Sequence, residues 1–409
     1  MAGPTSGAVP AASATVRPGS GAGPDGLDGF TNSAGWSSAL GSTRVIFGPG
    51  SLAGLGEIGA GLEARKALLV TDKGVRAAGH ADRARDALQG VGITTVIFDG
   101  VEENPTTRHV EEGARFAQPH AIDLLVGLGG GSAMDCAKGI NFLLTNGGRM
   151  EDYWGTNLAA RPMLPSVGIP TTAGTGSEAQ SYALIEQEGS RRKMACGDEK
   201  ARFRVVLLDP DLTATMPRNV AAAAGVDAIS HVVESYVTTR RNPISRMFAR
   251  SAWRLLSESF ADAIHRHEDV HARGHMMVGA LLAGASIEAS MLGAAHACAN
   301  PITSRYELAH GAAVLLMLPH VVRFNEPVVG DLYEELVRED AATTRSGDLA
   351  ARLEAMRRDG GLPERLRDIG VTPAALPDLA DEAAAQWTAG FNPRSVSRDE
   401  LLALYETAW

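Results

Sequence analysis

The sequence predicts an α/β Rossmann-like domain followed by an all-helical domain. Three observations carry this. Short apolar runs such as Lys66–Asp72 (KALLVTD) and 122–129 (IDLLVGLG) alternate with helical stretches through the first half of the chain. Strands buried on both faces read as continuous apolar runs, so the alternation indicates βαβ units and a parallel sheet. After Pro210 such runs stop and the apolar spacing is helical. The predicted organisation is an N-terminal extension over 1–35, an α/β domain over 36–209 and an all-helical domain over 210–409.

The elements follow in order. Of residues 1–28, 21 are Ala, Gly, Pro, Ser or Thr and none is aromatic. Such a stretch cannot bury enough apolar area to offset its ordering entropy, so the extension is predicted to be disordered. It lacks the basic start and apolar segment of a signal peptide. Thr43–Phe47 (TRVIF) reads as a strand closed by Gly48-Pro49-Gly50, and Lys66–Asp72 as a second. A helix near 77–88, a strand at 93–99, a helix at Thr107–Ala117, a strand at 122–129 and a helix at 133–144 continue the alternation. Ser166–Pro170 and 205–209 complete the predicted strands. Helical spacing then covers 220–237, 245–265, 276–291 and 311–324.

The chain carries 38 basic and 48 acidic residues, a net charge of -10, which argues against a nucleic-acid or anionic-lipid surface. No run of about 18 apolar residues occurs, so no membrane span is expected. Three cysteines (Cys136, Cys196, Cys298) in so long a chain argue against a disulfide framework and for a reducing, cytoplasmic setting.

The turn Gly127-Leu128-Gly129-Gly130-Gly131-Ser132 follows a strand and opens a helix. Glycines there let backbone N–H groups approach a pyrophosphate, and the helix N-terminus adds positive potential. Ser132 stands where the strict dinucleotide fingerprint needs its last glycine, so a tight turn without a ligand is an equal reading. Asp72, closing its strand, is either an acceptor for an adenosine ribose, favouring NAD over NADP, or a helix N-cap. Thr171, Thr172, Thr175 and Ser177 place four hydroxyls in seven residues, suited to phosphate or a nicotinamide carboxamide, or to a plain surface loop.

In the second half, Asp227 and His231 stand four apart and share one helix face. His296 and His310 follow, with Pro301 between them, so they are expected on separate segments. Three imidazoles and a carboxylate make a mixed site for Fe(II) or Zn(II). Taken singly, each of these histidines also reads as a hydrogen-bonded core residue.

Together these residues carry a resemblance. The segments GLGGGSAMDCAK (127–138), PTTAGTGSEA (170–179), DPDLTATMP (209–217), AGVDAISHVVESY (224–236) and HACANPITSRYELAHG (296–311) resemble the iron-containing, group III alcohol dehydrogenases. LPHVVRFN (318–325) resembles the same family, and the NPR at 392–394 and the closing LYETAW are similar to it too, particularly to its lactaldehyde/1,2-propanediol reductase branch. The resemblance covers residues 43–409 and implies a cleft between a dinucleotide-binding domain and a helical metal-binding domain. It implies a metal on Asp227, His231, His296 and His310. It places Asp72 at the adenosine ribose, with Asn104, Gly129, Gly130, Gly131 and Ser132 near the dinucleotide. Thr171, Thr172 and Thr175 would line phosphates and nicotinamide, Lys193 would touch the cofactor ribose, and Asp135 and Lys138 match a further family motif. The implied activity is hydride transfer between NAD(H), or NADP(H), and a small aldehyde or primary alcohol, in a homodimer or larger oligomer.

Two departures stand out. Where the family carries a second late histidine, a candidate proton relay, this chain has Asn300, which hydrogen-bonds but does not titrate. That leaves Asn300 as a substrate-orienting residue, or the chain as a silent NAD- and metal-binding homologue. Arg305, Arg202 and Arg204 raise the second point, since Arg grips carboxylate or phosphonate bidentately. An anionic aldehyde, a semialdehyde or phosphonoacetaldehyde, is the corresponding expectation. A lyase on the same architecture, similar to dehydroquinate synthase, fits the motifs less well.

Overall fold

The computed structural model describes residues 35–190, 192–338 and 348–409. The expected disorder of the N-terminal extension therefore lies outside the described residues, Gly35 apart. Ten strands and thirteen α-helices are present among them: β1 (Trp36–Leu40), β2 (Thr43–Phe47), α1 (Leu55–Gly61), β3 (Lys66–Asp72), α2 (Lys73–Ala77), α3 (His80–Gln89), β4 (Thr94–Val101), α4 (Thr107–Ala117) and β5 (Leu124–Gly129) come first. There follow α5 (Gly131–Asn146), β6 (Gly155–Thr156), β7 (Ser166–Pro170), β8 (Tyr182–Glu186), β9 (Lys193–Gly197) and β10 (Val205–Leu208). The rest is helical: α6 (Arg218–Val237), α7 (Pro243–His265), α8 (Val270–Glu288), α9 (Ala294–Tyr306), α10 (His310–Val337), α11 (Leu349–Asp359), α12 (Leu376–Ala384) and α13 (Arg398–Ala408).

Six strands form a parallel sheet in the order β2-β10-β7-β5-β3-β4, with β1 antiparallel at its edge. Successive side chains of β3 serve opposite faces. Leu68 and Val70 join Val110 and Ile140 in one cluster, while Ala67 and Leu69 join Ala84 and Leu88 in another. Burial on both faces explains why these strands read as unbroken apolar runs. Two parts lie outside the prediction: the edge strand β1, and a small second sheet in which β8 pairs antiparallel and β6 parallel with β9.

In the helical half α6 is central: every residue from Gly225 to Val237 is buried. A helix buried all round should be apolar all round, yet this one carries Asp227, Ser230, His231, Glu234 and Ser235. α10 is apolar and long enough by composition to cross a membrane, but its side chains are packed into the same helical core. α9 runs through Pro301 and is closed by Glu307 at φ +51°. His296 and His310 thus lie on separate helices, but Glu307 and not the proline makes the break.

At the loop after β7 the two halves approach backbone to backbone. A Cβ on Gly174, in the loop after β7, would lie 2.8 Å from the Cβ and carbonyl oxygen of Ala224 on α6. Gly176, at φ +63°, rests on Gly284 of α8, where a Cβ would come within 2.5 Å of the opposing Cα. The hydroxyl-rich loop is therefore pressed onto the helix that carries Asp227 and His231.

One pH effect follows from the packing of α10 on α11. Burial pushes the His320 imidazole down to about 4, and the Arg323 and Arg357 guanidiniums add to this. The unfolded chain titrates near 6.5, so below that pH it takes up a proton that the folded chain resists. Stability is expected to fall as pH drops from about 6.5 toward 4. Urea midpoints at pH 7 and 5 should differ less for His320→Gln than for the parent chain; an equal difference would remove His320 from the explanation.

Candidate metal centre and cofactor cleft

The carboxyl ends of β3, β4, β5 and β7 open onto a cavity of about 530 Å³. This is where open α/β sheets bind ligands. Asp72, Gly130, Ser132, Thr171 and Thr172 line it. The Gly129 carbonyl accepts from the Thr171 N–H at 2.9 Å, tying the loop after β5 to the loop after β7. Gly131 is fixed by sterics: a Cβ there would lie 2.6 Å from Thr175 Cγ2. Asp72 caps a helix and also stands on the cavity wall. Its Oδ1 accepts from the Val75 N–H at 2.9 Å, capping α2, while the residue lines the cavity. Glu102 and Glu103 line it too, a pair that sequence reasoning missed.

A second cavity of about 660 Å³ is lined by Asn104, Lys193, Asn300 and His310. Asp135 and Lys138 line neither cavity. Lys138 Nζ donates to the Ser177 carbonyl at 2.7 Å, to Ser177 Oγ at 2.9 Å and to the Tyr182 carbonyl at 2.7 Å. Its three protons are thereby used. Asp135 accepts from Ser177 Oγ at 2.5 Å. The pair, which the resemblance implies is cofactor-binding, braces the hydroxyl-rich loop at Ser177. Two of the three arginines behind the anionic-substrate expectation are held by carboxylates. Arg202 pairs with Glu199 and Glu288 and lines neither cavity, and Arg204 is exposed and lines neither. Arg305 reaches the larger cavity but is held by Glu382.

Beside that cavity lies a buried cluster. Asp227 and His231 come from α6 and His296 from α9, and one ligand atom from each lies within 4.8 Å of the others. The His310 ring, opening α10, sits 5.4 Å from that of His296. Asp227 Oδ1 and His296 Nε2 are buried and have no hydrogen-bond partner, and His231 Nε2 stands 3.5 Å from that Oδ1. Buried polar atoms without partners are costly, and a divalent cation among them removes the cost. Burial lowers the His231 imidazole to about 4 and the His310 imidazole to about 3, so both are neutral, as ligation requires. Burial alone would raise the Asp227 carboxyl, but His231, His310 and His296 together bring it below the usual carboxylate range. A neutral N₃ set with one carboxylate suits iron or zinc.

Sequence reasoning missed Glu234. Its Oε2 lies 2.5 Å from His296 Nδ1, and its Oε1 accepts from the Ala295 N–H at 2.7 Å. It therefore fixes the tautomer that leaves Nε2 free, the usual second partner of a metal-binding histidine. Its spacing, three residues after His231, was the available signal. We expect Glu234→Ala to weaken metal binding about 10–100-fold, with Glu234→Gln recovering part; titration of the metal-free protein with Co(II), followed by absorbance, checks this.

The first part of the chain, residues 42–210, matches the family model described as iron-containing alcohol dehydrogenase. Residues 221–409 match the C-terminal model of the same family. The chain is 34% identical over 373 residues to 1,3-propanediol dehydrogenase of Klebsiella pneumoniae, covering 89% of this chain and 96% of that one. It is 32% identical over 354 residues to lactaldehyde reductase of Escherichia coli (strain K12), covering 84% and 92%. Its fold superimposes on a crystal structure of 1,3-propanediol oxidoreductase with a TM-score of 0.86, at 32% identity over 89% of this chain and 97% of the other. Sulfoacetaldehyde reductase from Bifidobacterium kashiwanohense, in complex with NAD+, gives 0.82 at 25% identity over 91% and 98%. With matched domains on both sides of the cleft, the chain belongs to the iron-containing alcohol dehydrogenase family and is an enzyme of that kind.

Proposed function

We propose that the chain reduces small aldehydes to primary alcohols with NADH, using iron(II) held by Asp227, His231, His296 and His310. One observation supports this above the others: partnerless, buried ligand atoms converge beside a cavity that also receives Lys193 and Asn300. Bound iron supplies a Lewis acid for the substrate oxygen, and NADH supplies the hydride.

The chain's own residues do the rest. Glu234 aims His296. Gly130, Ser132, Thr171 and Thr172 offer close backbone approach and uncharged hydroxyls to phosphates. Asp72, Glu102 and Glu103 put three carboxylates around the smaller cavity, and a 2′-phosphate would be repelled there, hence NADH over NADPH. Asn300 is held by Gln386, its Nδ2 donating to Oε1 at 3.0 Å. The amide orients a substrate and does not exchange a proton.

The test is the purified chain with Fe(II) or Zn(II), NADH and an aldehyde panel of neutral and anionic members matched in size, read at 340 nm. Turnover of neutral members supports the reading; no oxidation of NADH by any member overturns it. An anionic aldehyde is the second reading, favoured by Arg192. Its guanidinium lies 4.9 Å from the Trp154 ring centre and lines the larger cavity beside Lys193. Arg192→Ala then raises KM for anionic members alone.

Asn300→His is expected to add a step near neutral pH to the pH–rate profile. A profile identical to that of the parent would show that the side chain at 300 does not reach the proton path.

A further inference from the structure

A third cavity, of about 320 Å³, lies outside both the cofactor cleft and the metal centre. Its apolar wall is Ala221 of α6, Phe260 and Ile264 of α7, and Met276 of α8. Its polar lining is basic. Arg273 is only 8% exposed, and its Nε and Nη1 donate to the carbonyls of Pro210 and His267, not to a carboxylate. Its Nη2 has no hydrogen-bond partner among the described residues. Arg218 donates to His265 Nδ1 at 3.1 Å and to the Asp359 carbonyl. No acidic residue lines the cavity, in a chain whose net charge is -10. The first turn of α6, which contributes Arg218, has no side-chain cap, so its N–H groups and dipole add to the positive potential.

A buried guanidinium without a counter-charge is costly, and an anion seated in the cavity would offset it. The volume is at the lower end for ligand pockets, and a guanidinium fork matches a carboxylate. We propose that this cavity binds a small organic carboxylate with an apolar body, and that its occupancy is felt at the dinucleotide cleft. The second clause rests on two residues. Met216 lines both this cavity and the cofactor cavity. Ala173 lines this one and directly follows Thr172, which lines the other.

The experiment is calorimetric titration of the full chain, without dinucleotide, with cyclohexanecarboxylate and with its neutral isostere cyclohexanecarboxamide. The carboxylate is expected to saturate, with the carboxamide at least about tenfold weaker. Arg273→Gln should weaken the carboxylate alone. Because Arg273 also ties two carbonyls, two further variants guard against misfolding: exposed Arg218→Ala should weaken it, and Ala263→Phe should abolish it by filling the cavity. Saturating carboxylate should shift the Kd for NADH, read by fluorescence, about fivefold or more. Equal affinity for the two probes, no binding, or unchanged binding to Ala263→Phe overturns the site. An unmoved Kd for NADH overturns the coupling. Failure of NADH to bind at all would count instead against the cofactor reading of the cleft.

Discussion

Asp227→Ala is expected to yield a folded protein that purifies nearly free of iron and reduces aldehydes at least about a thousandfold more slowly, the loss of several kcal/mol of charge stabilisation. Asp227 is the one carboxylate among the four proposed ligands. It is 4% exposed, its Oδ1 has no hydrogen bond, and the nearest imidazole nitrogens are 3.5 and 3.8 Å away. Its carboxyl is held below the usual range despite burial, so it is ionised at neutral pH, where His231 and His310 carry no charge. The pocket thus offers one formal negative charge to the proposed divalent ion. Removing it leaves neutral donors, and a doubly charged ion in a dry pocket is poorly compensated by those. Asp227→Asn separates shape from charge: it fills the same volume and should lose iron almost as completely. Loss of the ion also shows in stability, since a ligand present at about a thousand times its Kd stabilises by about 4 kcal/mol; added Fe(II) should raise the Tm of the parent and leave that of Asp227→Ala unmoved. Metal analysis showing one iron per chain in Asp227→Ala would end this assignment.

The sequence made the parallel strands legible because strands sandwiched between helices have no polar face to break the run. β8 escaped for the opposite reason. Its inward residues are Ala183 and Ile185, but its half-exposed side carries Tyr182 and Leu184, so the expected alternation is masked. β1 was obscured by the low-complexity stretch before it. At the site, the pairing of Asp227 with His231 is readable because helical periodicity is local. Nothing local predicts that α9 and α10 deliver His296 and His310 to the same point; that depends on how helices cross, and only the family resemblance suggested it. Glu234 falls between these cases. Its position on the Asp227 face could be read from the spacing, but an inward carboxylate and a solvated one look alike in a sequence. The arginines show the same gap: Arg202 and Arg305 have the right chemistry for an anionic substrate, but each is matched by a carboxylate that the sequence does not place beside it.

The helix crossing gives the other large effect. Gly311→Ala adds one methyl group and is expected to destabilise the fold by about 3 kcal/mol or more while also scattering the metal site. Gly311 is the second residue of α10, next to His310, where that helix meets α6. A Cβ there would lie 1.9 Å from the Ala223 carbonyl oxygen and 2.8 Å from Asp227 Cβ. Neither obstacle is a flexible side-chain tip: one is backbone of a buried helix, the other the stem of a proposed ligand. Relief requires α10 to withdraw from α6 by more than an ångström, carrying His310 away from Asp227, and a misplacement of that size costs about a hundredfold in rate. Stability and activity should therefore fall together, with iron content falling too. Gly330→Ala supplies the control, because its nearest neighbour would be Glu326 Cγ at 3.5 Å, an ordinary contact. Gly330 follows the kink at Val329 and has room for a methyl group, so that variant should melt no lower than the parent. If Gly311→Ala instead kept parental Tm, iron content and turnover, the close contact of α10 with α6 could not be what positions His310.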